Sequence, residues 1–152
     1  MSIWQHLFLG DLEYAPARDI LAGLTPQQAG LHPNSEMHTI YEELFHAAVW
    51  QRSMVSSAQG GEAISPSPDW PERPAPPDAR SWTGLVEDFL ADSAEAAAVA
   101  EQIERWDEVL PEGRTVRERL ELLAVHNAYH LGKIVSLRQF LGLWSRSRVE
   151  RA

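Results

Sequence analysis

The chain has no cysteine among its 152 residues. Disulfides, thiolate zinc sites, iron–sulfur clusters and a cysteine nucleophile are therefore excluded, and any metal must be held by histidine, carboxylate or water. Long apolar runs are also missing, since none approaches the ~20 residues of a membrane span. The start, Met1-Ser2-Ile3-Trp4-Gln5-His6, has neither the basic stretch nor the small-residue cleavage site of a signal peptide, so a cytoplasmic protein is expected. Positive charge is scarce: 13 Lys+Arg stand against 22 Asp+Glu, a formal net charge of -9. That balance argues against general nucleic-acid binding, which needs a basic surface to displace counterions. There is no internal repeat, no useful strand alternation, no G-x-S-x-G elbow and no phosphate-cradling glycine loop. Gly60-Gly61 lacks both the lysine and the strand-to-helix context of such a loop.

What remains reads as helices separated by breakers. The first helical stretch, from Ile3 to about Leu24, is divided by Gly10 and Pro16 into two short helices with a bend, Pro16 falling in the first turn of the second. Leu24-Thr25-Pro26 closes it, and residues 30–35 form a loop. The second stretch runs from Ser35 or Glu36, with Ser35 as N-cap, to about Gln59, where Gly60-Gly61 stops it. Residues 60–78 contain six of the ten prolines, so they are neither helix nor central strand. They form a long connection that is either packed down by Trp70 or disordered. The third stretch, capped by Asp78 or Ser81, continues to about Trp106. Pro111-Glu112-Gly113 makes a turn, and Thr115 with Glu118 has capping-box spacing for a last helix that runs to Leu141 before Gly142. The fold class is all-α: a four-helix bundle with a broken first helix and a proline-rich connection between helices two and three. The length fits one domain, taken as residues 1–145, with a polar tail at 146–152.

Six histidines in so short a chain raise the question of where they point. On the last helix, His126, Asn127 and His130 share the arc of Leu120, Leu123, Ile134, Leu137 and Leu141. Two imidazoles at i and i+4 lie one above the other on that inner face, a spacing that suits two ligands on one ion. The competing reading is a pair of core histidines satisfied by a carboxylate or water. On the second stretch His46 points off the apolar centre, beside Glu42, Trp50 and Ser53, as a residue lining a cleft walled by Trp50 would. His46, His126 and His130 together make a three-histidine site with an open position, the pattern of a catalytic metal. His6 and His32 read as solvated, and His38 as exposed although within reach of the groove. Glu43 reads as part of a solvated face, whereas Glu42 is the candidate outer acceptor or fourth ligand. Asn127 is either an orienting group or a satisfied core amide, and Tyr129 reads as packing. Lys133 and Arg119 are either anion-binding groups or surface cations. Trp4 and Phe8 are either core or a docking surface.

The stretch His126-Asn127-Ala128-Tyr129-His130-Leu131-Gly132-Lys133-Ile134 resembles the last-helix motif of the DinB-like (damage-inducible, YfiT-like) proteins. Ile40 to Trp50, with Leu44-Phe45-His46, is similar to that family's second-helix motif, Leu21-Ala22-Gly23-Leu24-Thr25-Pro26 to the end of its first helix, and Trp70 with the prolines that follow it to its long second connection. The resemblance covers most of the chain. It implies a four-helix bundle that binds a divalent metal (nickel, zinc or iron) through three histidines, here His46, His126 and His130. It also implies a homodimer. Some relatives are S-transferases using bacillithiol or mycothiol, and others act in stress response or detoxification. Two functions are carried forward. One is a metal-dependent enzyme of thiol S-transferase or hydrolase type acting on a small molecule, with any thiol supplied from outside. The other is a non-catalytic, metal-stabilised stress or ligand-binding dimer.

Overall fold

The computed structural model describes residues 1–11 and 14–144; the expected tail at 146–152 and the last residue of the expected domain lie outside them. The described residues form six α-helices: α1 (Ile3–Leu9), α2 (Ala17–Leu21), α3 (Pro26–Ala29), α4 (Ile40–Ala58), α5 (Ala79–Ala100) and α6 (Val116–Phe140), with a 3-10 turn at Ile103–Arg105. α4 packs against both α5 and α6, while α1 lies mainly on α5 and touches α6, giving the expected bundle.

The starts of these helices follow directly from side-chain chemistry. Capping boxes open four of them: Ser2 with Gln5, Thr25 with Gln28, Thr39 with Glu42, and Thr115 with Glu118. In each, two otherwise unpaired N–H groups are satisfied reciprocally. Asp78 caps α5 by accepting from the Ser81 N–H at 2.7 Å.

Four boundaries differ from the sequence reading. α4 begins at Ile40 rather than near Ser35, because the Asn34 side chain accepts from the Glu36 N–H at 2.9 Å and closes a local turn, leaving the box at Thr39 to start the helix. α5 ends at Ala100 rather than near Trp106. There the chain folds back so that the Trp106 indole donates to the Ala100 carbonyl at 2.9 Å and sets its edge against Trp4. Thr25-Pro26 opens the one-turn α3 instead of merely closing the segment before it, and Pro16 stands just before α2 rather than inside its first turn.

The core has two apolar halves. One gathers Ile20, Ile40, Leu44, Trp82, Phe89, Leu131, Ile134 and Leu137; the other gathers Trp4, Phe8, Val55, Ala96, Val116, Leu120 and Leu123. Trp4 and Phe8 are thus core residues. Between the halves lies a polar layer, one residue from each long helix: Gln51, Ser93 and Asn127, all buried. The Gln51 amide N–H donates to the Phe89 carbonyl at 2.8 Å, while its oxygen accepts from Ser93 at 3.0 Å and from the Asn127 amide. Arg138 is also buried, and its guanidinium donates to the carbonyls of Ile20, Ala22 and Leu143, fastening the end of α2 to α6.

The proline-rich connection is packed against the bundle. The Thr39 hydroxyl donates to the Pro74 carbonyl at 2.6 Å, and Ser53 donates to Ile64. Gly30 lies so close to this segment that a Cβ there would sit 2.4 Å from the Ala75 methyl. Trp70 is thereby brought onto the face of the bundle formed by α4 and α6.

Candidate metal centre

Helical spacing brings the site together. On α4, Glu43, His46 and Trp50 follow one another at three and four residues, along the flank of the helix that meets α6. On α6, His126, His130 and Lys133 do the same on the facing side. The result is a cluster in which His46 and His126 ring centroids are 5.4 Å apart, His46 and His130 4.9 Å, and His126 and His130 4.5 Å. One ring nitrogen from each histidine lies within 4.8 Å of the others. Asn127 of the polar layer directly follows His126 of the cluster in the chain.

Outer partners orient two of the rings. The Nδ1–H of His46 donates to the Asp69 carbonyl at 2.9 Å, and the Nδ1–H of His130 donates to Glu43 Oε2 at 2.7 Å. A carbonyl and a carboxylate can only accept, so these bonds leave Nε2 as the nitrogen with a free lone pair. His126 has a buried Nδ1 with no partner, and the buried indole N–H of Trp50 likewise finds no acceptor. Burial, then the neighbouring His130 and His46, push His126 down to about 4. Burial and His130 also lower His46, against the bond to Asp69, which favours its charged form. Near neutral pH both rings therefore keep their lone pairs. Clustered imidazoles, one with an orphaned buried nitrogen, form a donor set that could hold a divalent ion.

Aromatic rings wall the cluster. Trp70 stacks on His46 with centroids 4.1 Å apart and planes inclined by 18°, and also packs on His38 at 4.1 Å. Trp50, the wall expected from the sequence, lies further away at 6.3 Å from His46 and 6.4 Å from His126. Tyr129 is an exposed residue standing edge-on to His130 at 5.1 Å, not the packing residue expected.

The two glutamates exchange their expected roles. Glu42 is spent on the α4 cap, accepting from the Thr39 N–H at 2.7 Å. Glu43 is fully buried, with Oε2 on His130 and Oε1 on both His38 (2.9 Å) and Lys133. Burial would raise its carboxyl, but the hydrogen bonds from His130, Lys133 and His38 prevail and hold it at about 2. The signal was present in the sequence: Glu43 lies three residues after Ile40 and four before Ala47, both buried. Its position on the helix, not its charge, decides its burial. Of the remaining candidates, His38 is partly exposed but belongs to the groove through Trp70 and Glu43, and Arg119 pairs with Glu112 away from it. His32 is exposed, whereas His6 is half-buried with an unpartnered Nδ1 rather than solvated.

No helix among the described residues is long and apolar enough to cross a membrane. Comparison with curated proteins and with solved structures finds no match. A family model does match, and it spans α2 through most of α6, including all three clustered histidines. Over residues 11–134 the chain fits the model described as the DinB superfamily, and it belongs to that superfamily.

Proposed function

We propose that His46, His126 and His130 hold a divalent metal ion and that the protein is a metal-dependent enzyme of thiol S-transferase or hydrolase type, acting on small molecules in stress response or detoxification. The observation that carries this reading is the convergence of three ring nitrogens within 4.8 Å of one another. An ion with three protein ligands keeps room for an outside one, and when bound it would make water or a thiol nucleophilic at neutral pH. The chain supplies the rest. Asp69 and Glu43 hold two of the rings in one tautomer, and Trp50, Trp70 and Tyr129 offer an apolar wall to a substrate. With no cysteine in the chain, a reacting thiol must come from solution.

Metal analysis of purified protein, followed by titration of metal-free protein with Zn²⁺ and Ni²⁺, tests this directly. One equivalent bound by wild type and lost in His46→Ala and His126→Ala, with the helical circular dichroism kept, is the expected outcome. Absence of stoichiometric binding defeats it, and unfolding on metal removal makes the ion structural instead. A screen of low-molecular-weight thiols with an electrophile then separates transferase from hydrolase.

The outward face of α6 favours the homodimer. Leu122, Val125 and Tyr129 are exposed there at helical spacing, beside the site. Light scattering should find twice the chain mass in wild type and a monomer in Val125→Glu.

A further inference from the structure

Resting on the metal reading above, we propose that Glu43 is the positioning residue of the centre. Its carboxylate fixes the tautomer and ring direction of His130, and Lys133 and His38 fix the carboxylate. Glu43 is fully buried, and both of its oxygens are engaged, so the carboxylate cannot turn without breaking a bond to a charged or polar partner. One oxygen bonds His130 alone; the other carries Lys133 and His38.

The placement in the chain is economical. α4 supplies both His46 and, three residues earlier, Glu43; α6 supplies both His130 and, three residues later, Lys133. α4 thus orients the ligand on α6 through Glu43, and α6 holds Glu43 in turn through Lys133. A carboxylate that accepts the outer N–H of a ligating imidazole raises the basicity of the inner nitrogen as well as aiming it. An ion pair serving the fold alone would need no bond to a ring of the triad. Here the shorter of the two imidazole–Glu43 bonds is the one to His130, 2.7 Å against 2.9 Å to His38.

The test is Zn²⁺ affinity, measured by competition with a chromophoric chelator, on wild type, Glu43→Gln and the double variant Glu43→Gln/Lys133→Met. The double variant removes the cation that the single change strands, and so restores folding stability if the single variant is impaired. Positioning predicts about 10–100-fold weaker Zn²⁺ binding in both variants. It also predicts a shifted visible spectrum of the Co²⁺ form and a melting temperature recovered in the double variant. A double variant that regains wild-type affinity together with stability shows a purely structural pair and overturns the inference. Wild type that binds no Zn²⁺ overturns the proposed function and this inference together, whereas tight binding unchanged by Glu43→Gln overturns this inference alone.

Discussion

Replacing Gln51 by leucine keeps the side-chain volume roughly constant and removes the hub of the polar layer. The cost follows from counting which groups lose their partners. Ser93 has one hydrogen to donate and retains the Phe89 carbonyl at 2.8 Å, so it remains satisfied. The Phe89 carbonyl in turn retains Ser93. Asn127 is different: its amide donates to Gln51, it is 2% exposed, and no water can reach it as a substitute. One orphaned, buried amide costs about 1–3 kcal/mol. For a chain of this length that corresponds to a melting temperature lower by roughly 3–10 °C. Asn127→Leu should cost less, because Gln51 keeps Ser93 and the Phe89 carbonyl. The double variant should recover most of the Gln51→Leu loss, since removing both partners leaves little unsatisfied. Urea unfolding of the four proteins gives the cycle. Strictly additive losses, or a Gln51→Leu variant as stable as wild type, would refute the accounting.

Three further outcomes are expected. Saturating metal-free protein with Zn²⁺ to about 100 times its dissociation constant should add about 2.7 kcal/mol, read as a rise of roughly 5–10 °C in calorimetry; His126→Ala should show none of it. Gly30→Ala should destabilise by about 1–3 kcal/mol, because its methyl would overlap Ala75, whereas Gly84→Ala, inside α5 with nothing within 4 Å of its would-be Cβ, should stabilise by up to about 1 kcal/mol; denaturant midpoints decide the signs. Trp70→Ala removes three ring contacts of about 0.5–1.5 kcal/mol each and should speed proteolysis within residues 60–78, measured by limited digestion.

Much of the architecture could be read from the sequence because its punctuation is local. Gly10, Gly60-Gly61, the prolines and the Thr115–Glu118 box act within a turn of themselves, and they fall where the helices stop and start. The three histidines could be read as a group because helical periodicity is local too. What escaped depends on distant partners. Trp106 ends α5 by docking against Trp4, about a hundred positions earlier in the chain. Glu43 is buried only because α6 supplies Lys133 and His130 to meet it. Gln51 and Ser93 look like ordinary surface residues until Gln51 is seen to bond both Ser93 and Asn127. In the last two cases a polar residue occupies a core position, and the partner that makes this tolerable lies on another helix.

The connection between α4 and α5 has the composition of a spacer, and long irregular segments at a protein surface are usually where extra residues can be spliced in without harm. Its anchoring changes that expectation. The Asp69 carbonyl orients His46, Trp70 packs on three histidines, and Pro74 is bonded to the cap of α4. A tag or a reporter domain inserted between residues 66 and 75 would therefore disturb the histidine cluster directly. The turn at Pro111–Gly113, exposed and remote from the cluster, is the better place to splice one in.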